Sequence, residues 1–227
     1  MAAERQEIEP LARRLERLRR IELGLLWAAA GRLGPLPAAL VAGRPGAANA
    51  RLAVRRAQER FRLCGVVSAG WCGALDPALR VGQVVVADRV MSDSGSEEYE
   101  ARPVAGRATT GPVLTVDHFV ATAEEKRRLR QRGAVAVEME AAAVAAEARR
   151  MAIPFFCVRA VSDVAEKTFR VDFNRARLPG GQFSTLRAAA AAGFSPGRWR
   201  ELLQTWRDAR TAAESLGEFL GSCRFEC

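Results

Sequence analysis

The chain has 227 residues, 49% of them hydrophobic, which suits one domain with a sizeable core. Its formal charge is +9 with a single histidine, His118, which excludes a multi-histidine metal site and argues against a Ser-His-Asp triad. No apolar run is long enough to span a membrane, and the charged start Met1–Pro10 lacks a signal-peptide core, so a cytoplasmic location is expected.

Lys126 and Lys167 are the only lysines, so nearly all the positive charge is arginine. No zinc finger, basic zipper or aromatic RNA-binding motif accompanies that charge, and nucleic acid is not an expected partner. The odd cysteine count, without zinc spacing, fits reduced thiols, and Cys64 and Cys157 lie in apolar runs expected in the core.

In chain order, Glu7 to Arg20 reads as a helix with Leu11, Leu15 and Leu18 as its core stripe. The interleaved Arg13, Arg14, Arg17, Arg19 and Arg20 read first as a solvated face and second as a possible peripheral contact with an acidic membrane. Ile21–Ala29 and Ala38–Val41 read as strands around the turn GRLGPLP, and Ala48–Phe61 as a helix. Leu63–Ser68 reads as a buried strand that ends in a loop holding Gly70 and Gly73. Val84–Val90 is a strand, and Met91–Arg107 a polar, mobile loop near a site. Val113–Val116 is a strand and Ala123–Arg132 a helix; after a connection over 170–182, two helices close the chain. There is no internal repeat and no dividing linker. A single α/β domain is expected, with a mixed, partly parallel sheet flanked by helices.

The segment Val135–Phe169 carries the most information. Ala134–Val137 reads as a buried strand, Glu140–Arg150 as an Ala-rich helix and Phe155–Val161 as a second buried strand after Pro154. Strand, helix and strand predict a βαβ unit with parallel strands. Helix residues rise about 1.5 Å each and strand residues about 3.3 Å, so this helix returns the chain to the start of the sheet. Glu138, Glu140 and Asp163 then stand together at the carboxyl edge, where open α/β sheets bind ligands. Taken singly, Glu140 reads equally as a helix N-terminal acid and Asp163 as a turn residue. Together, with Arg159 and Ser162 beside Asp163, they point to a site.

VEMEAAAVA followed by IPFFCVRAVSD resembles the signature of the nucleoside phosphorylase and nucleosidase superfamily. GRPGAANA resembles its Gly-rich turn, VVSAGWCGALDPALRVGQVVVADRV its GLDP block, and GPVLTVDHFV its base-binding strand and turn. The tail from Val171 is most similar to the hopanoid-associated subgroup. This resemblance implies cleavage of a purine N-glycosidic bond, with methylthioadenosine-like or hopanoid-linked adenosyl substrates as candidates. It also implies a homo-oligomer and no metal or organic cofactor.

The same resemblance implies the roles of single residues. Asp163 protonates the departing base, and Glu140 holds the ribose hydroxyls over the apolar floor of Met139. Glu138 supports that wall, Phe119 stacks on the base and Val120 offers it backbone groups. Arg159 orients Asp163 or forms a strand-end ion pair. Glu7, with Glu4 as runner-up, matches the acid that activates water, or is an ordinary helix N-terminal acid. Phosphate as co-substrate would need cations or amides, and Gly70, Gly73 and nearby backbone could supply amides. The SAGWCG segment has no arginine, and Trp71 takes a position that is usually small.

Family members begin with an apolar strand that this chain lacks, so an upstream start codon and a restored strand are expected. The competing reading is a nucleoside-binding or scaffold protein that has lost turnover.

Overall fold

The strands fall into two sheets. A computed structural model describes residues 1–95, 97–175, 178, 190, 193, 195–223 and 225. Helix α1 (Arg5–Ala12) starts in a capping box, in which the Glu4 N–H donates to the Glu7 carboxyl at 2.7 Å and the Glu4 carboxyl accepts from the Glu7 backbone. The helix expected to reach Arg20 stops here. Arg17 takes a left-handed φ of 53°, and Glu16–Arg20 becomes strand β1, exposed along its whole length. Leu11 and Leu15 are buried, but Leu18 is 38% exposed. Pairing with β2 (Trp27–Leu33) overrides the helical spacing of these leucines. Strands β2 and β3 (Leu36–Ala42) form a hairpin from Trp27↔Ala42 to Leu33↔Leu36, so most of GRLGPLP lies inside its arms. The strand expected from Ile21 therefore begins at Trp27, where a partner is available.

After α2 (Ala47–Arg60) come β4 (Val66–Ala74), β5 (Val84–Ser92), β6 (Glu98–Glu100) and β7 (Thr109–Thr115). Helix α3 (Ala123–Arg130), β8 (Ala136–Glu138), α4 (Ala141–Arg150), β9 (Phe155–Asp163) and α5 (Pro196–Ser222) follow. A second closing helix, and part of the 170–182 connection, would fall outside the described residues. The second sheet runs β6-β5-β7-β8-β4-β9, and β9 returns to pair with β5. Five strands thus close into a ring, with β6 as an outer arm on β5. Strands β5, β7 and β8 are mutually parallel, while β4 runs against β8 and along β9.

That order corrects the expected βαβ unit. Strand β4 lies between β8 and β9, so the two are neither neighbours nor parallel. Hydrophobic runs mark strands but not their order. Met91–Arg107 is also more ordered than expected. Tyr99 is 7% exposed on β6, Arg102 N–H donates to Phe155 O at 2.8 Å, and Val104 is buried. Cys157 is in the core, but Cys64 is exposed, because β4 begins only at Val66.

Helices α2 and α4 cover one side of the ring through small residues: Ala50, Ala53, Val54 and Ala57 on α2, and Ala141, Val144, Ala145 and Ala148 on α4. Arg55 closes their outer edge by donating to Glu147 at 2.7 Å. On the other side α5 buries Ala212, Leu216 and Leu220 in one cluster with Ile8 and Leu11 of α1. That packing fixes α1, and with it Glu7. No helix among the described residues is long and apolar enough to cross a membrane.

Met1–Ala3 joins the two sheets. Ala2 N–H donates to Val41 O at 2.9 Å, Ala69 N–H to Met1 O at 2.8 Å, and the Met1 amine to Val67 O at 2.8 Å. Met1–Ala3 is thus a short extended segment that bridges β3 and β4. Beyond Met1 lies an apolar cavity of about 410 Å³, lined by Leu33, Leu36, Leu40, Val54, Phe61 and Phe156 among others. Val41 O faces Ala2, so by strand alternation Ala39 turns the same edge to this cavity.

Fusing about five apolar, β-branched residues ahead of Met1 should fill the slot and pair that edge. We expect the midpoint of thermal unfolding to rise by at least about 4 °C, since each well-buried Val contributes roughly 1.5–3 kcal/mol. A Gly-Ser extension of equal length should leave it unchanged, and equal effects from the two would refute the pairing.

Candidate active site

The ends of β4, β8 and β9 meet α1 around a second cavity, of about 140 Å³. Ten of the predicted site residues line it: Glu7, Trp71, Gly73, Phe119, Val120, Glu138, Met139, Glu140, Ser162 and Asp163. Gly70 and Arg159 stand behind the wall, and Glu4 and His118 join the lining. No described residue of the Met91–Arg107 stretch reaches it.

Strand β4 brings the acids together, since Gly73 pairs with Val137 on one side and Asp163 on the other. Gly70 and Gly73 are inside this strand, not in a loop after it. The physical reason is close approach. A Cβ on Gly70 would lie 2.7 Å from both Arg159 Nη1 and Glu7 Oε1, and one on Gly73 3.0 Å from Asp163 Oδ2.

Arg159 does not orient Asp163. Only 1% exposed, it pairs with Glu138 Oε2 at 2.5 Å and donates to Ser68 Oγ at 2.6 Å. Burial works against its charge, and Glu138, Cys157, Glu140 and Glu7 outweigh that and hold its pKa up. Glu138 also accepts from Glu140 N–H at 2.9 Å, Ala141 N–H at 2.8 Å and the Thr115 hydroxyl. It thereby satisfies donors at the start of α4. Glu140 accepts from Gly46 N–H at 2.8 Å, which ties the Gly-rich turn before α2 to the site. Burial, then the neighbouring Glu138, push the Glu140 carboxyl up to about 8.

Glu7 is held by two backbone donors, Glu4 N–H at 2.7 Å and Trp71 N–H at 2.9 Å. Burial raises its pKa, and those hydrogen bonds and Arg159 only partly offset the rise. The Trp71 indole N–H is buried without a partner among the described residues.

Asp163 is gripped at both oxygens. Ser162 Oγ donates to Oδ1 at 2.8 Å, and Lys126 pairs with Oδ2. Lys126 was not expected here, because AEEKRRLR looks like a solvated helix face. Its rarity was the available signal: it is one of two lysines in an arginine-rich chain. Phe119 sits in an aromatic cluster, 5.0 Å from Phe169 and 5.1 Å from Phe173 between ring centroids. Asn174 brackets its backbone, accepting from Phe119 N–H and donating to Phe119 O, both at 2.9 Å. Among the described residues no group of three or more His, Cys, Asp or Glu could hold a metal ion.

The sequence model of the Phosphorylase superfamily matches residues 4–107 and 100–178. The 5′-methylthioadenosine/S-adenosylhomocysteine nucleosidases of Staphylococcus epidermidis and Staphylococcus aureus are 25% and 26% identical to the chain over 202 residues, 76% of this chain and 89% of theirs. The S. pneumoniae nucleosidase of the same name, solved with a transition-state inhibitor, superposes with a TM-score of 0.74 at 18% identity, over 97% of this chain and 94% of that one. Futalosine hydrolase of Helicobacter pylori gives 0.72 at 18% identity, over 96% and 93%. At those identities the superpositions establish the fold. With the superfamily match spanning most of the sequence, the chain belongs to the Phosphorylase superfamily.

Proposed function

We propose that the chain cleaves the N-glycosidic bond of an adenine nucleoside by hydrolysis, with 5′-methylthioadenosine-like compounds as substrates. The relatives that carry this activity support the reaction class. The charge of the pocket supports hydrolysis over phosphorolysis. Glu4, Glu7, Glu138, Glu140 and Asp163 line the cavity, and among the described residues no arginine or lysine does. Phosphate dianion needs cationic or amide donors. Here the Arg159 guanidinium is 1% exposed and committed to Glu138, and the Trp71 amide is taken by Glu7.

Asp163 then acts as the general acid for the leaving base. Glu7, with its raised pKa and fixed carboxyl, takes the proton of the attacking water. Glu140 holds the ribose hydroxyls, and Phe119 and Val120 hold the base. The ribosyl group becomes cationic as the bond breaks, and the surrounding carboxyl groups favour that charge.

Adenine release should be measured from 5′-methylthioadenosine, S-adenosylhomocysteine and adenosine, with and without phosphate. We expect phosphate-independent release, and a fall in kcat of about 10²–10⁴ in Asp163→Asn and in Glu7→Gln. Release that requires phosphate would remove hydrolysis and the role of Glu7 together.

Glu140 also gives stability a pH dependence. Its folded pKa of about 8 lies above the ordinary 4.5, so the folded state binds the extra proton between these values. The stability it contributes is complete below about 4.5 and lost as the pH rises through about 8. The Met1 amine works the other way, because burial lowers it from 8.0 to about 5 and the unfolded chain binds the proton. The net wild-type slope therefore mixes opposed effects, and Glu7, also raised, adds to that of Glu140. The clean readout is the difference between Glu140→Gln and wild type, which should grow in favour of the variant from pH 5 to pH 8. A difference that is flat over this range would contradict a neutral Glu140.

A further inference from the structure

We propose that Lys126 is a positioning residue for the general acid: from behind the pocket it fixes the Asp163 carboxyl and stabilises the negative charge that develops there as its proton leaves. The proposal rests on the nucleosidase reading above.

Lys126 stands on α3 and is fully buried, at 0% exposure. Its Nζ pairs with Asp163 Oδ2 and donates to Val164 O at 2.7 Å. The Phe169 ring covers it, with Nζ 5.9 Å from the centroid. Lys126 is not among the residues lining the cavity, whereas Asp163 is. Its direct polar link to the pocket is therefore the Asp163 carboxyl. With Oδ2 held by Lys126 and Oδ1 receiving the Ser162 hydroxyl, the carboxyl cannot rotate freely. An ammonium this deep is costly to desolvate, and a surface ion pair would not need it.

The chemistry gives the arrangement a purpose. The Asp163 proton moves to a ring nitrogen of the base, the C–N bond breaks with its electron pair going to the base, and a carboxylate remains. Water supplies hydroxide to the sugar carbon and a proton to Glu7. After each turnover Asp163 regains a proton from solvent and Glu7 loses one to it. In the reactive complex, where Asp163 carries its proton, the charge on it is thus greater in the transition state than before it. A fixed cation beside it favours the transition state over the bound substrate, which raises kcat without tightening binding.

The test compares wild type, Asp163→Asn, Lys126→Met and Lys126→Ala on 5′-methylthioadenosine, with thermal melting as the check on folding. Lys126→Met should lose about a hundredfold in kcat with KM changed less than about threefold. Propylamine added to Lys126→Ala should restore part of the rate, and 1-propanol, similar in size but neutral, should not. If Lys126→Met does not fold, the Lys126→Ala pair of rescues carries the test, with Lys126→Gln as a third variant. A folded Lys126→Met with kcat within about threefold of wild type overturns the proposal, as does equal rescue by the alcohol. An inactive wild type, indistinguishable from Asp163→Asn on every nucleoside, overturns the nucleosidase reading and the proposal with it. An active wild type with dead Asp163→Asn and unimpaired Lys126 variants overturns the proposal alone.

Discussion

One buried guanidinium makes the rest of the site possible. Arg159 lies on β9 opposite Gly70, and Glu7, Glu138 and Glu140 all act on its charge. Without it three carboxyl groups would crowd a space from which water is largely excluded. The pair with Glu138 does more than cancel charge. Through Glu138 it fixes the first amides of α4 and the hydroxyl of Thr115 on β7, so one ion pair organises β7, β8, β9 and α4 together. Breaking one side of such a pair costs about 3–5 kcal/mol, because the remaining charge is left buried. That is a large share of the roughly 5–15 kcal/mol stability of a domain. The site and the fold therefore cannot be varied independently at Arg159 or Glu138.

The ring of strands supplies the geometry. Strand β4 is the axis, with Glu138 reached through β8 on one flank and Asp163 through β9 on the other. Its two glycines open the space that Arg159, Glu7 and Asp163 occupy. Their loss of strand propensity is offset by pairing with β9 from Val66 to Gly73. The Trp71 amide between them is free to bind Glu7, and that contact carries the position of α1 into the pocket.

Much of this was legible in the sequence, and the failures share a cause. VEME and VSD mark strand ends rich in acids, so the meeting of Glu138, Glu140 and Asp163 could be read from local pattern. The route by which they meet could not, because β4, from 90 residues earlier by the Ser162–Cys72 contact, inserts between the two strands. ERLRR holds Leu18, the last leucine of a helically spaced stripe, and still forms a strand, since its partner is a hairpin arm. Lys126 sits in a run that looks solvated, and it is buried only because the chain around Val164 and Phe169 folds over it. For Arg159 two readings stood open, a hold on Asp163 or a strand-end ion pair, and the pair with Glu138 is the one that forms. In each case the residue type was informative and the long-range pairing was not.

The pocket holds more acid than cation, and this constrains any mechanism drawn through it. Arg159 can balance only one of its three neighbours, and Glu138 has the shortest contact. A proton retained on Glu140 relieves part of the remaining repulsion, consistent with its pKa of about 8. Under the proposed mechanism, cationic charge on the sugar makes that proton easier to release, so the pocket becomes more negative as the bond breaks. The ground state is spared the full repulsion, and the transition state receives the full attraction. A phosphate dianion would reverse this order by adding negative charge at the start, where the pocket is least able to accept it. Water adds none until its proton has moved to Glu7, which makes the electrostatics of the empty pocket and the choice of nucleophile a single question.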